Sequence, residues 1–326
     1  MPLSACEVGI TNSPEKIQDD TSEIESEATP ETEEGEPAED ETGVEDISED
    51  DAEEIEEESS DPLTDFSQWG PHYPYGITVD DRTASVTNCT NMNYKVYTPY
   101  AEDPPILVLG HGFARGADTV VGWAEHFASW GVEVLVPTLC HYNVFAGVDH
   151  EMNAQNMKEL SDLHGSGEVV YAGHSAGGLA ALIAASQDPK AIGMLGLDTT
   201  DTEGVPSVPD FIGQGYAGSV TVPSFLIIGE PSSCNSGNNG LELFKMIDGY
   251  QAMRITSADH CDFENPTDFV CELSCESASA TFQASEIRPA VITLATAALM
   301  TITELSVDGP LIWSEPGVSE GLVTTE

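Results

Sequence analysis

The segment EVVYAGHSAGGLAAL, Glu168–Leu182, limits the folds open to this chain more than any other stretch of its sequence. An apolar run typical of a buried strand stops at Gly-His-Ser, and an alanine-rich run typical of a helix follows at once. The pattern Gly-x-Ser-x-Gly puts Ser175 in a sharp turn, where side chains at Gly173 or Gly177 would clash with neighbouring backbone. Ser175 is either an ordinary turn residue or a nucleophile, and the strand–turn–helix context favours a nucleophile.

Short apolar strands alternate with helical segments on both sides of this turn. The patterns predict strands at 93–100, 106–109, 132–137, 168–172, 191–198, 222–229 and 250–258, and helices at 118–130, 150–164, 176–186, 240–247 and 286–305. Such alternation predicts an α/β fold class, with a mainly parallel central sheet and helices on both faces. In such sheets the chemistry lies at the carboxyl ends of the strands.

The composition divides the 326 residues into an acidic N-terminal part and a folded part. Residues 7–61 contain 25 acidic residues, Lys16 as their one basic residue and no aromatic residue. They have too little apolar surface to fold, so we predict a disordered acidic linker followed by one domain at 62–326. That domain still carries 33 acidic residues against eight Lys and Arg, which argues against nucleic acid as a partner. A saline habitat and an acidic exported protein are both consistent with this charge.

The cysteines predict export. Residues 1–6, MPLSAC, match the bacterial lipobox pattern, which predicts a lipid anchor at Cys6 on an outer-membrane or cell-surface lipoprotein; the alternative is a chance match in a secreted protein. The six remaining cysteines suit up to three disulfides in an oxidising compartment. A zinc site is the competing interpretation, but Cys271 and Cys275 have no matching pair at metal-ligand spacing. We expect no metal and no cofactor.

A nucleophilic serine needs a base, and the base needs an orienting acid. His260 is the one histidine downstream of Ser175, so it is the predicted base. Asp198 ends a predicted strand, from which a carboxylate can reach the imidazole, and it is the favoured acid. Asp201 and Glu230 remain alternatives.

The oxyanion hole is expected from backbone N–H groups. One belongs to Ala176, directly after the nucleophile, and the other to Phe113 or a neighbour in the loop GHGFARG. His111 and His174 lie close by in sequence, and we expect them to have structural roles.

From about Tyr94 to Leu305 the chain resembles the α/β-hydrolase superfamily, nearest its chlorophyllase-like and polyester-hydrolase branch, which is cutinase-like and related to dienelactone hydrolases. The matching pieces are LGHGF, GHSAGG, LGLD and DHCDF. The resemblance implies the α/β-hydrolase fold, and its chlorophyllase-type members place the acid at the position of Asp198. Polyester hydrolases join the loop after the seventh strand to the residue beside the catalytic histidine, which implies a Cys234–Cys261 disulfide. The chain lacks their aspartate after LIIG and a tryptophan near Asp198.

These features predict an exported, monomeric serine carboxylic-ester hydrolase that works through an acyl-enzyme. The short span between Asp198 and Val222 predicts no large lid domain. The resulting open pocket, lined by Phe113, Phe211 and Tyr216, would suit acyl esters or polyesters. The alternatives are a catalytically silent surface or adhesion protein with the same fold, and an amidase or thioesterase with the same residues.

Overall fold

The computed structural model describes residues 66–73, 75–143, 147–165, 167–205, 208–314 and 319–326. The predicted lipobox at 1–6, the predicted acidic linker at 7–61 and the first four residues of the predicted domain lie outside these ranges.

The domain is built on a mixed sheet of nine strands in the described part of the chain. The strands are β1 (Ile77–Val86), β2 (Cys89–Pro99), β3 (Ile106–Gly110), β4 (Glu133–Pro137), β7 (Val169–His174), β8 (Ala191–Leu197), β9 (Ser224–Ile228), β10 (Gln251–Ile255) and β11 (Val323–Thr325), and a separate short hairpin is formed by β5 (Tyr142–Asn143) and β6 (Gly147–Val148). The order across the sheet is β1-β2-β4-β3-β7-β8-β9-β10-β11. From β4 to β10 all neighbours are parallel, whereas β1, β2 and β11 pair antiparallel. The predicted α/β class and mainly parallel sheet are confirmed.

The chain reverses its direction across the sheet at β3. From β3 it moves outward to β4, and it then crosses back to β7 on the other side of β3. Ligands of open α/β sheets bind at such a reversal, in the crevice outside the carboxyl ends of the strands. Gly110, which ends β3, pairs in register with Gly173, so the loop after β3 and the turn at Ser175 are neighbours at this crevice.

Helices cover both faces of the sheet and bury one apolar core against each. The helices are α1 (Val121–Ser129), α2 (His150–His164), α3 (Ala176–Gln187), α4 (Gln214–Ala217), α5 (Asn239–Phe244), α6 (Phe269–Ser274), α7 (Ala284–Ile302) and α8 (Gly309–Ser314). One core holds apolar residues of α1, α7 and α8, and the other holds those of α2, α3 and α5. Among the described helices, α7 is long and apolar enough to qualify as a membrane span by composition, but 67% of that window is buried in the domain, as in the core helix of a globular protein.

Three disulfides join the six cysteines of the described chain, and their pairing corrects the predicted Cys234–Cys261 bond. The bonds are Cys89–Cys140, Cys234–Cys275 and Cys261–Cys271. The reason is the short helix α6, which the sequence patterns did not predict. Cys271 lies in α6 and Cys275 directly follows it. Cys261 therefore pairs with Cys271, and Cys234 pairs with Cys275, instead of with each other. Several disulfides are compatible with an extracellular protein.

Candidate active site

Ser175 occupies the turn between β7 and α3. Its backbone has φ 55° and ψ −124°, a left-handed conformation that non-glycine residues rarely adopt. The turn requires glycine on both sides because β3, β7 and α3 approach closely there. A Cβ at Gly173 would lie 2.3 Å from the carbonyl carbon of Gly177, and one at Gly177 would lie 2.4 Å from the oxygen of Gly110. The tight packing thus holds the serine above the carboxyl end of its strand.

Asp198 and His260 meet at the same edge of the sheet. Asp198 directly follows β8, and His260 begins the 3₁₀ helix His260–Phe263 a few residues after β10. His260 Nδ1 donates to Asp198 Oδ2 over 2.6 Å, and the two side chains are 7% and 1% exposed. This bond fixes the tautomer of the imidazole, because Nδ1 carries the hydrogen and Nε2 is left as an acceptor.

Contacts of the Ser175 backbone and of the preceding residue, His174, connect the serine turn to the segments that carry Asp198 and His260. Its N–H donates to the oxygen of Leu197, the residue before Asp198, over 3.0 Å. His174 Nε2 donates to the oxygen of His260 over 3.1 Å, and the two imidazole rings lie 4.5 Å apart. Within the described residues no hydrogen bond joins the Ser175 hydroxyl to the His260 ring. Such bonds are often long without substrate and shorten in the complex.

The other two carboxylates considered as the acid lie elsewhere. Asp201 Oδ1 accepts hydrogen bonds from the N–H groups of Thr202 and Gly213, and burial raises the pKa of its carboxyl group. Glu230 Oε1 accepts from the N–H of Ser257 over 3.2 Å. Of the three candidates, Asp198 is the one that contacts His260.

Asn235 is a site residue that the sequence analysis missed. It is fully buried, and its Nδ2 donates to Asp198 Oδ2 over 3.1 Å and to the oxygen of Glu230 over 2.9 Å. Its Oδ1 accepts from the N–H groups of Ser232 and Asn238. The segment PSSCNSGNNG has the composition of an ordinary polar loop, so nothing in the sequence distinguishes this asparagine from its neighbours.

The two residues that carry the predicted oxyanion donors line one small cavity together with the serine. Phe113, Ser175 and Ala176 line a cavity of about 160 Å³. Ala176 begins α3, so its N–H has no acceptor within the helix. Neither this N–H nor that of Phe113 donates a hydrogen bond within the described chain.

The rest of that cavity differs from the predicted pocket. Its other walls come from the segment after β8, from Val148 and His150, and from Cys234 and Ser236 in the segment after β9. Phe211 and Tyr216 are not among them, and the Tyr216 hydroxyl donates instead to Glu151. Larger cavities of about 750 and 760 Å³ lie elsewhere, lined by none of the predicted site residues.

His111, in the loop after β3, connects that loop to the segment after β4. His111 is buried, its Nδ1 bonds the oxygen of Gly112 over 2.8 Å, and its Nε2 accepts from the N–H of Leu139 over 2.9 Å. Burial lowers the pKa of His111 to about 4, so the ring is neutral at physiological pH. These contacts fit the structural role expected for it.

The described residues include one group of side chains with metal-ligand geometry. Cys261, Cys271 and Cys275 place their sulfur atoms within 4.8 Å of one another. All three sulfur atoms are in disulfides, so they offer no thiolate to the zinc ion considered from the sequence.

No protein-family model matches the chain, and no curated protein matches it in sequence. The fold and the geometry define the class on their own: an α/β protein in which a strained serine and a buried histidine–aspartate pair lie at one edge of a mainly parallel sheet.

Proposed function

We propose that the protein is a serine carboxylic-ester hydrolase of the α/β-hydrolase fold, with Ser175 as nucleophile, His260 as base and Asp198 as acid. The observation that carries the proposal is the buried 2.6 Å bond between Asp198 and His260, at the edge of the sheet where Ser175 sits in its strained turn. Two further features support it. The residues follow the chain order serine, acid, histidine, and Phe113 lies in the loop between β3 and the next helix, as in this fold.

The proposed reaction follows from the bond between Asp198 and His260 Nδ1, which leaves Nε2 of the ring as the proton acceptor. His260 Nε2 accepts the proton of the Ser175 hydroxyl while the serine oxygen attacks the ester carbonyl. Asp198 stabilises the imidazolium that forms. The carbonyl oxygen gains negative charge and accepts hydrogen bonds from the N–H groups of Phe113 and Ala176. His260 then returns the proton to the departing alcohol, and a water molecule, activated in the same way, releases the acid from Ser175.

The cavity beside Ser175 supports a preference for short acyl groups. Its volume of about 160 Å³ is below the roughly 300–1,000 Å³ typical of ligand pockets. Asp201 and Glu203 contribute to its walls, and these carboxylates disfavour acyl groups that carry a negative charge. Neutral short-chain esters, or the ends of polyesters, are therefore the proposed substrates. Export as a lipoprotein or secreted enzyme is part of the proposal, and the disulfides support it.

The test is release of p-nitrophenol from acetyl, butyryl and octanoyl esters by the wild type and Ser175→Ala, at low and high salt. We expect turnover that falls with acyl length and is abolished by the substitution. Ser186→Ala, which changes a serine at the far end of α3, is the matched control and retains activity. A fluorophosphonate probe should label the wild type and not Ser175→Ala. Equal near-zero rates in the wild type and Ser175→Ala, without labelling, would favour a silent surface protein.

A further inference from the structure

A buried ion pair connects two loops of the candidate site. Arg115 donates to both carboxylate oxygens of Glu264, Nε to Oε1 over 2.7 Å and Nη2 to Oε2 over 2.8 Å. The Glu264 side chain is 0% exposed and that of Arg115 is 13% exposed. Arg115 Nη2 also contacts Asp268 Oδ1 at 2.6 Å. This two-pronged geometry is the most directional that an arginine and a carboxylate can form.

The two partners belong to the loops that carry the proposed oxyanion donor and the proposed base. Arg115 closes the turn after β3, where its N–H donates to the oxygen of Gly112, and Phe113 lies within that turn. Glu264 directly follows the 3₁₀ helix that begins at His260. The pair spans 149 residues of sequence and fixes one loop against the other.

Flanking contacts follow the same path. The indole Nε1 of Trp123 donates to the oxygen of Phe263 over 2.9 Å. Asn265 donates its N–H to the oxygen of Thr119 and accepts from the N–H of Gly122. The last residue of the His260 helix and the two residues after it are therefore anchored on the segment that follows β3, and the ion pair is the charged contact in the middle.

His174 links this pair to the serine turn. Its Nε2 donates to the oxygen of His260, and its Nδ1 lies 3.9 Å from Glu264 Oε1 without a hydrogen-bond partner in the described residues. Burial holds the pKa of His174 well below its usual range, so the ring stays neutral. The residue before Ser175 is thus packed against both the His260 loop and Glu264.

We propose that Arg115 and Glu264 are positioning residues that set the geometry of His260 and of the Phe113 N–H relative to Ser175; this rests on the proposed ester-hydrolase function. Neither side chain lines the cavity beside the serine, so neither is placed to bind substrate. A buried ion pair seldom adds net stability over apolar residues of similar volume. A role in geometry accounts for keeping two charges there.

The decisive variant replaces both charges by apolar side chains, Arg115→Met with Glu264→Leu. Removing both partners leaves no buried charge unpaired, and Asp268, which also loses Arg115, is half exposed to water, so the melting temperature should stay close to that of the wild type. We expect kcat for p-nitrophenyl acetate to fall about 100-fold, the loss typical of a misplacement of about 1 Å, with KM unchanged. Lys190→Met with Asp162→Asn removes an ion pair before β8, at the opposite end of the strands, and should leave both constants unchanged.

Arg115→Lys keeps the positive charge and removes the guanidinium group that bonds both oxygens of Glu264. This variant gives a second measurement if the double variant does not fold. Lysine cannot bond both oxygens in this geometry, so kcat should lie between those of the wild type and the double variant. Wild-type kcat in a folded double variant, or in Arg115→Lys, would overturn the positioning role while Ser175-dependent turnover stands. A wild type without Ser175-dependent turnover would overturn the proposed function, and this proposal with it.

Discussion

Asp198 Oδ2 and His260 Nδ1 are separated by 62 positions in the chain and by 2.6 Å in space. Asp198 follows β8 and His260 lies after β10, and the strand between these two, β9, helps to hold Asp198 in place. Asp198 donates its N–H to the oxygen of Ile227, near the end of β9, and its carboxylate accepts from the N–H of Gly229, directly after that strand. The carboxylate is therefore oriented by residues of the β9 end and by Asn235 as well as by its bond to the histidine.

Asp198→Asn should nearly abolish ester hydrolysis without unfolding the protein. The amide is similar in size, but it cannot hold the protonated Nδ1 as a charged carboxylate does or stabilise the imidazolium. The expected loss in kcat is about 10⁴-fold, as for the equivalent change in serine proteases. Steady-state kinetics on p-nitrophenyl acetate, with circular dichroism to check folding, measure it.

Glu230→Gln is the matched comparison for that loss, because Glu230 was an alternative acid and contacts Ser257 instead of His260. Its kcat should stay within a few-fold of the wild type. A loss in Glu230→Gln as large as that in Asp198→Asn would contradict the assignment of the acid.

The disulfides should differ in their contributions to stability according to the loops they close. Cys234–Cys275 spans 41 positions and Cys261–Cys271 spans 10. By chain entropy, removing the first pair as serines should cost about 4 kcal/mol, and removing the second about 3 kcal/mol. Guanidinium unfolding of the two double-serine variants gives the values, and peptide mapping without reduction checks the pairing. Recovery of a Cys234–Cys261 peptide would show that the pairing described here is wrong.

Gly177→Ala should destabilise the domain strongly, because its Cβ would lie 2.4 Å from backbone of the neighbouring strand, which cannot move aside. Overpacking of this kind costs about 3 kcal/mol. Gly215→Ala is the control. It lies exposed in α4 with open space around its Cα, and alanine there should stabilise by about 0.5–1 kcal/mol. Equal melting temperatures for the two variants would mean that the serine turn is looser than described.

Most of the parallel sheet could be predicted because its strands are buried on both faces and stand out as continuous apolar runs. The predicted helix at 150–164 matches α2, His150–His164, and the runs at β7 and β8 were located to within two residues. By contrast, β1 was missed. It is an edge strand with the sequence ITVDDRTASV and six consecutive exposed residues, so it carries little hydrophobic signal.

The candidate site could be predicted only to the extent that its residues lie at strand ends and follow the expected chain order. Ser175, Asp198 and His260 follow from the turn after a strand, the end of the next strand and the one downstream histidine. Asn235 and the Arg115–Glu264 pair depend on contacts between loops far apart in sequence. The predicted disulfide pairing was wrong for the same reason. The actual pairing depends on α6, a helix of six residues whose three exposed apolar side chains give no pattern of a buried face.

Acid should destabilise the protein through its buried histidines, and His126 offers the clearest measurement. Burial lowers the pKa of His126 to about 3, against about 6.5 in an unfolded chain. Below pH 6.5 the unfolded state binds a proton that the folded state does not, so this contribution is complete above pH 6.5 and is lost as the pH falls. It amounts to about 2 kcal/mol between pH 7 and pH 5.

In His126→Gln the free energy of unfolding should change by that much less over this range, and comparison with the wild type cancels the titration of the acidic surface. Thr296→Val removes the hydroxyl that bonds His126 Nε2 and keeps the imidazole, so it should retain the wild-type pH dependence. Guanidinium unfolding of the three proteins at pH 7 and pH 5 measures the difference, and identical pH dependence in all three would refute a neutral, buried His126.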